Sequence, residues 1–407
     1  MCADNTATLN PKPSRAAFIA VAIAGICTFL NIYCTQPLLP FFQKVFHASE
    51  IQVSLTVSAV ILAVALAAPF TGMLAETFGR KQVIVPALFA MTVPTFLTAT
   101  SPNLAALIAW RFAYGIFVPG VIVVMMAYIT EEFAGRAGVV MAAYVAATVF
   151  GGFLGRFIVG LLATHANWRL GFVILGVLDL FGAIAVARWL PPSVHFVRAT
   201  HVFRSFRDTW SHLRNPRLLA ICAMGFTILF SLVGAFTYAN FYLARPPFNL
   251  TPAGLGSIFF VYLFGCVVTP WAGHFLDRHG FRQTTGLSAC ICLLGLLLTL
   301  VHSLPVVIIG LAIFSSGIFV AQAAASVLTG EVAGRARSTA AGLYVTFYYA
   351  GGSVGVAATG WFWLRGGWPE CIELFVLISV ITFILAQFGG KKISTIEASQ
   401  SHMDTAI

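Results

Sequence analysis

Long, nearly unbroken apolar runs leave this chain one class of fold. Crossing a bilayer takes about 20 mostly apolar residues, and twelve stretches qualify. They are Ala16–Pro40, Ile51–Ala75, Gln82–Thr100, Leu104–Ile129, Ala137–Thr164, Trp168–Leu190, Leu218–Ala244, Ala253–Phe275, Gln283–His302, Leu304–Leu328, Arg337–Leu364 and Pro369–Phe388. Lipid offers no partner to open backbone N–H and C=O groups, so a spanning segment is a helix or part of a closed barrel. Barrel strands alternate apolar and polar residues, and these runs do not. The expected fold is an all-α membrane protein with twelve transmembrane helices. Charged residues make up only 9% of the 407 positions, against roughly 25% in a soluble domain. Such a surface cannot be solvated by water, so the lipid bilayer is its first partner.

The net charge of +10 raises the question of nucleic acid, and charge placement answers it. With the N-terminus set in the cytoplasm, Lys44, Arg169, Arg245 and Arg365 fall outside, and Arg111 and Arg156 fall within spans. All the other Lys and Arg residues fall on the cytoplasmic side, as the positive-inside bias requires. No nucleic-acid partner is needed. The organisation expected is a tail at 1–15, a six-helix unit at 16–190, a linker at 191–217, a second six-helix unit at 218–388 and a tail at 389–407. Both termini and the linker are then cytoplasmic, with the basic linker near anionic head groups. The first apolar run is too long for a signal-peptide core and reads as a retained helix. Cys27, Cys222, Cys266, Cys290 and Cys292 lie inside apolar runs without metal-ligand spacing and read as small hydrophobes. No metal site, phosphate-binding loop or nucleophile–base pair is visible, so an enzyme and an ATP-driven pump are not expected.

The chain repeats itself. Gly72-Met-Leu-Ala-Glu76-Thr-Phe-Gly79-Arg80-Lys81 aligns with Gly273-His-Phe-Leu-Asp277-Arg-His-Gly280-Phe-Arg282. Gly115-Ile-Phe-Val118 recurs as Gly317-Ile-Phe-Val320, and Thr130–Ala137 recurs as Thr329–Ala336. Gly151-Gly152-x-x-Gly155 recurs as Gly351-Gly352-x-x-Gly355. Four motifs in one order, at offsets between 199 and 202 residues, point to duplication. Parallel repeats related by an axis along the membrane normal are a transporter plan. The fold expected is therefore two pseudo-symmetric six-helix bundles.

The Gly72–Lys81 loop resembles the loop between the second and third helices of the major facilitator superfamily, G-x-L-a-D-r-x-G-r-[RK], with Glu76 where Asp is usual. The second copy resembles the weaker motif between helices eight and nine. The resemblance implies that Glu76 latches the halves by reaching the start of the eleventh helix near Arg337. Arg111-Phe-Ala-Tyr114-Gly115 resembles the family's R-x-x-x-G motif, whose arginine faces the cavity and is linked to proton coupling. The Gly151–Gly160 segment is similar to the family's antiporter motif, with Arg156 where proline is usual.

An ionisable residue inside a span is a functional candidate because placing it there is costly. Arg111 and Arg156 lie at similar depth, each about eight residues from the outer end of its helix at ~1.5 Å per residue. Asp179 lies slightly deeper. They read either as a self-neutralising structural cluster or as a cation pair available to an anionic substrate. Asn31, Tyr33 and Gln36 on helix one and Tyr238 and Asn240 on helix seven fall at similar depth, with Tyr344 and Tyr348 on helix eleven and Tyr114 on helix four.

The family resemblance implies a monomeric secondary transporter in a bacterial inner membrane, without a cofactor. It implies alternating access, a small-molecule substrate and protons, with efflux of drugs or sugars as the pattern. Import of a small organic anion is the alternative within transport. A receptor or scaffold that moves nothing is the alternative outside it.

Overall fold

The structure is a computed structural model and describes residues 15–133, 135–193, 214–332 and 337–389. The two tails and most of the linker named above lie outside the described residues. Among the described residues all regular structure is helical. Ten segments are long and apolar enough to span a bilayer. The eighth and eleventh spans complete twelve: Pro252–Ile258 followed by Val261–His279, and Arg337–Gly366.

Polar caps set the starts. Ser49 and Gln52 form a reciprocal capping box that opens the second span, Glu50–Phe78. Asn103, Asn167, Asn215 and Thr251 each accept a backbone N–H at the start of the fourth, sixth, seventh and eighth spans. At the other end, Gly79 and Gly280 occupy equivalent turn positions with φ of 99° and 79°. Side chains rarely adopt that conformation, so glycine stands at both.

Three spans read as continuous are interrupted. The first is Arg15–Ile32, then a 3-10 turn at Gln36–Leu38, then Leu39–Val45. Pro37 and Pro40 supply no N–H, so the Tyr33 and Gln36 carbonyls are taken up by tighter bonds from Gln36 and Leu39. The fourth pauses at Val118, just before Pro119. The eighth pauses at Phe259-Phe260, where the backbone tightens to bonds three residues apart. The ninth span also ends earlier than expected, at Leu298. Apolar loop residues extend the hydropathy signal past the last helical turn.

The packing is duplicated. In the first half, span one packs on five, two on four and three on six. In the second half, seven packs on eleven, eight on ten and nine on twelve. The halves meet where the second span packs on the eleventh and the fifth on the eighth, which are equivalent pairs under the repeat. Gly151 and Gly155 bring the fifth span onto the Ile26 and Leu30 carbonyls, and Gly351 and Gly355 bring the eleventh onto those of Phe226 and Phe230. A Cβ at any of the four would collide with backbone. Small residues permit this approach in membranes.

Candidate functional site

The break in the first helix creates a need that Arg111 fills. The last carbonyls of a helix lack intrahelical partners, and here they are buried. Arg111, 1% exposed, donates Nη2 to the carbonyls of Asn31 and Ile32, the latter at 2.8 Å. Its Nε makes a longer contact of 3.4 Å to the Thr56 carbonyl on the second span. A cation at a helix C-terminus also meets the negative end of the helix dipole. Tyr114, one turn along the fourth span, donates to the Thr28 carbonyl at 2.8 Å. The Arg111-Phe-Ala-Tyr114 segment therefore grips the end of the first helix.

Asp179 sits on the far side of that same end. It is 2% exposed and accepts from Asn31 Nδ2 at 2.6 Å through Oδ2. Its Oδ1 has no hydrogen-bond partner among the described residues. No arginine lies within ion-pair distance of it there. Asn31 thus joins the two charges, giving its backbone carbonyl to Arg111 and its side-chain amide to Asp179.

Arg156 has a different setting. It is 2% exposed and lies where the fifth span crosses the eighth. Nε donates to Gln36 Oε1 at 2.8 Å and Nη1 to the Gly152 carbonyl at 2.7 Å. The guanidinium lies over three rings: Tyr33 at 4.8 Å, Phe259 at 4.2 Å and Tyr262 at 5.3 Å to the centroids. Such contacts stabilise a desolvated cation by about 2 kcal/mol. Tyr33 and Gln36 belong to the break in the first span, and Phe259 begins the break in the eighth. Gln36 Nε2 continues across the seam to Thr237 Oγ1 at 3.1 Å. On the eleventh span Tyr348 and Tyr349 are in edge-to-face contact at 5.5 Å. Rings from both halves therefore surround one buried cation.

The sequence candidates divide accordingly. Asn31, Tyr33, Gln36, Arg111, Tyr114, Arg156 and Asp179 form one polar system around the broken first span. The pair of arginines is not a pair: Arg111 is committed to backbone carbonyls, and Arg156 faces the seam. Asn240 turns back onto the Phe236 carbonyl of its own helix at 2.6 Å. Tyr238 packs on Phe241 and Trp363. Tyr344 donates to Gln322 at 2.9 Å and stacks on Tyr348. Of the latch, the Arg337, Asp277, Gly72 and Gly273 surroundings lie outside what is described. Glu76 is half-buried. Arg80 makes a forked pair with Glu131, at 2.7 and 3.0 Å, which ties the loop to the repeated Thr130–Ala137 motif. Arg282 instead donates to the Gln387 carbonyl at 2.9 Å.

Sequence reasoning missed Phe259, Tyr262, Thr237 and Gln322. In a chain with 37 phenylalanines an aromatic residue in a span carries no signal of its own. Pro37 and Pro40 did carry a signal for the break in the first span.

Relatives cover nearly the whole chain. It is 32% identical over 381 residues to the uncharacterized MFS-type transporter YybF of Bacillus subtilis, covering 93% of this chain and 94% of that one. It is 32% identical over 374 residues to the inner membrane transport protein YnfM of Escherichia coli, covering 90% and 88%. Among solved structures, the human organic anion transporter MFSD10 superposes with a TM-score of 0.72 at 19% identity, covering 92% of this chain and 99% of that one. The family model of the Major Facilitator Superfamily matches residues 21–356 and 235–392. With its duplicated helical packing and its relatives along the full length, the chain belongs to the Major Facilitator Superfamily and is a multi-pass membrane transporter.

Proposed function

We propose that the protein is a proton-coupled secondary transporter that exports a small molecule across the cytoplasmic membrane by alternating access, with Asp179 carrying the proton. The observation behind this reading is the state of Asp179: fully buried, held by the Asn31 amide beside the Thr95 hydroxyl, and without an ion-pair partner among the described residues. A carboxylate locked on an arginine would keep its charge through the cycle. Asp179 has no such lock, so taking up a proton breaks no ion pair.

Its partner transmits the change. Asn31 is the next-to-last residue of the first helix, and Tyr33 and Gln36 follow directly on the path to Arg156. A proton on Asp179 alters the Asn31 contact, and with it the break on which both halves converge. The halves then rock about the seam, as duplicated transporters do. Export is supported by similarity to the multidrug efflux protein YfmO of Bacillus subtilis, 27% identical over 261 residues and 63% of each chain. The distribution of Lys and Arg supports a cytoplasmic linker. The seam contacts of Arg245 with Glu50, of the Ala253 N–H with Thr164 Oγ1 and of Gln36 with Thr237 then lie on the outer side.

Uptake of candidate substrates into proteoliposomes, with and without an imposed pH gradient, supplies the assay. Asp179→Asn is expected to keep counterflow exchange and to lose gradient-driven accumulation. Wild-type accumulation by that variant overturns the coupling role. For orientation, a cysteine at Ser205 in an otherwise cysteine-free chain stays unlabelled by an impermeant reagent applied to intact cells. Labelling from outside reverses the topology.

A further inference from the structure

Three charged side chains are fully buried among the described residues, Arg111, Arg156 and Asp179, and their charges do not cancel. Arg111 and Asp179 meet through Asn31, so the polar end of the first helix holds one positive and one negative group. Arg156 is left over. No carboxylate lies within ion-pair distance of it among the described residues. A buried charge without a counter-charge is strongly unfavourable, and rings and two neutral acceptors offset only part of that.

The guanidinium is also incompletely used. It carries five N–H donors. One is on Gln36 and one on the Gly152 carbonyl, and Nη2 makes no hydrogen bond among the described residues. Its room depends on a glycine, because a Cβ at Gly152 would lie 3.2 Å from Nη1. The setting joins both halves: Tyr33, Gln36 and Gly152 come from the first, Phe259 and Tyr262 from the second. A group held this way changes its surroundings whenever the halves move.

We infer that Arg156 is the substrate-charge site of this transporter, and that the substrate is a small organic monoanion, a carboxylate on a planar apolar body. One uncompensated cation matches one negative charge. The paired N–H groups of Nη1 and Nη2 fit a carboxylate in the forked geometry that favours arginine over lysine. The planar body is matched by the aromatic residues gathered around the guanidinium, Tyr33, Phe259 and Tyr262, which give a carboxylate held there an apolar aromatic setting. The inference rests on the chain being a transporter, but not on Asp179 carrying the proton.

The test is binding to the purified full-length protein, read as thermal stabilisation, with matched probes: benzoate against benzamide, and cinnamate against cinnamamide. At millimolar concentration the carboxylates are expected to stabilise the wild type and the amides to have no effect. Arg156→Gln is expected to weaken carboxylate binding by about 10- to 100-fold, the range of a hydrogen bond to a charged group. Arg156→Lys retains the preference for the acid at reduced affinity. The binding measurement is made without a proton gradient, so a failed coupling role for Asp179 leaves this result intact. The comparison of acid with amide in the wild type stands even where a variant does not fold. Equal stabilisation by acids and amides, no stabilisation by either acid, or unchanged acid affinity in Arg156→Gln overturns the assignment.

Discussion

In the first half, Gly151 and Gly155 let the fifth span press onto the backbone of the first. In the second half, Gly351 and Gly355 do the same for the eleventh span on the seventh. At the next position the halves part, with Arg156 in one and Val356 in the other, both buried. The repeat offset likewise sets Arg111 against Ile313. The duplicated positions carry packing, and the positions that diverged carry charge. All three fully buried charged side chains among the described residues lie in the first half. The second half meets one of them, Arg156, with the rings of Phe259 and Tyr262. A transporter that rocks two similar bundles needs only one of them to hold the polar machinery, provided the other closes over it.

The largest expected effect tests whether that asymmetry is functional. Arg111→Ala leaves the Asn31 and Ile32 carbonyls buried without donors, at about 1–3 kcal/mol each, and frees the end of the first helix. Transport is expected to fall to background and the melting temperature to drop. Arg111→Lys is expected to recover part of the stability but not the transport, because a point charge cannot reach both carbonyls as the guanidinium does. Ile313→Ala, at the equivalent position, is expected to retain transport. Uptake and thermal unfolding of the purified variants check this. Equal loss of transport at the two positions would show that the halves do not divide the work.

The next effect tests the shared part. Gly155→Ala and Gly355→Ala each place a Cβ against a carbonyl, of Leu30 and of Phe230. Overpacking of this kind costs about 1–3 kcal/mol. Both variants are expected to lose similar stability in detergent, read as the shift in melting temperature. A loss confined to one of them would mean that the matching glycines play different parts.

These residues also show how far the sequence alone reaches. The glycine pairs were visible because a packing constraint leaves the same residue type at the same spacing twice. Twelve spans were visible because lipid imposes one length and one polarity on all of them. The break at Phe259-Phe260 was hidden inside an apolar window whose average does not register a few turned residues, and that at Tyr33–Thr35 was marked only by Pro37 and Pro40. The role of Arg111 was hidden for another reason. Its partners are backbone carbonyls, which every residue has, so nothing in their sequence marks them. Asp179 and Asn31 are 148 residues apart, and only folding shows that they meet. The aromatic cage shows the same limit, since Tyr262 and Phe259 come from the half in which no charged side chain is buried among the described residues.

The smallest expected effect lies at the rim of the seam, where the halves are joined by charge. Arg245 at the end of the seventh span donates to Glu50 at the start of the second, at 2.7 Å, and lies over Trp363 at 4.9 Å. The Arg245 side chain is 55% exposed and that of Glu50 13%. Exposed pairs contribute about 0.2–1 kcal/mol and are screened by salt. Glu50→Gln is therefore expected to open the seam by less than about fivefold. The rate at which an impermeant maleimide labels a cysteine at Ser353, which bonds to the Ser58 carbonyl across the seam, reports this. High salt applied to the Ser353→Cys protein with Glu50 intact should raise the rate to a similar degree, and Glu50→Arg with Arg245→Glu should restore it. Buried contacts such as those of Arg156 are shielded from salt, so a seam governed by them responds little to ionic strength. A labelling rate indifferent to both Glu50→Gln and salt would assign closure to the caged arginine and the glycine crossings, and leave the surface pair no part in it.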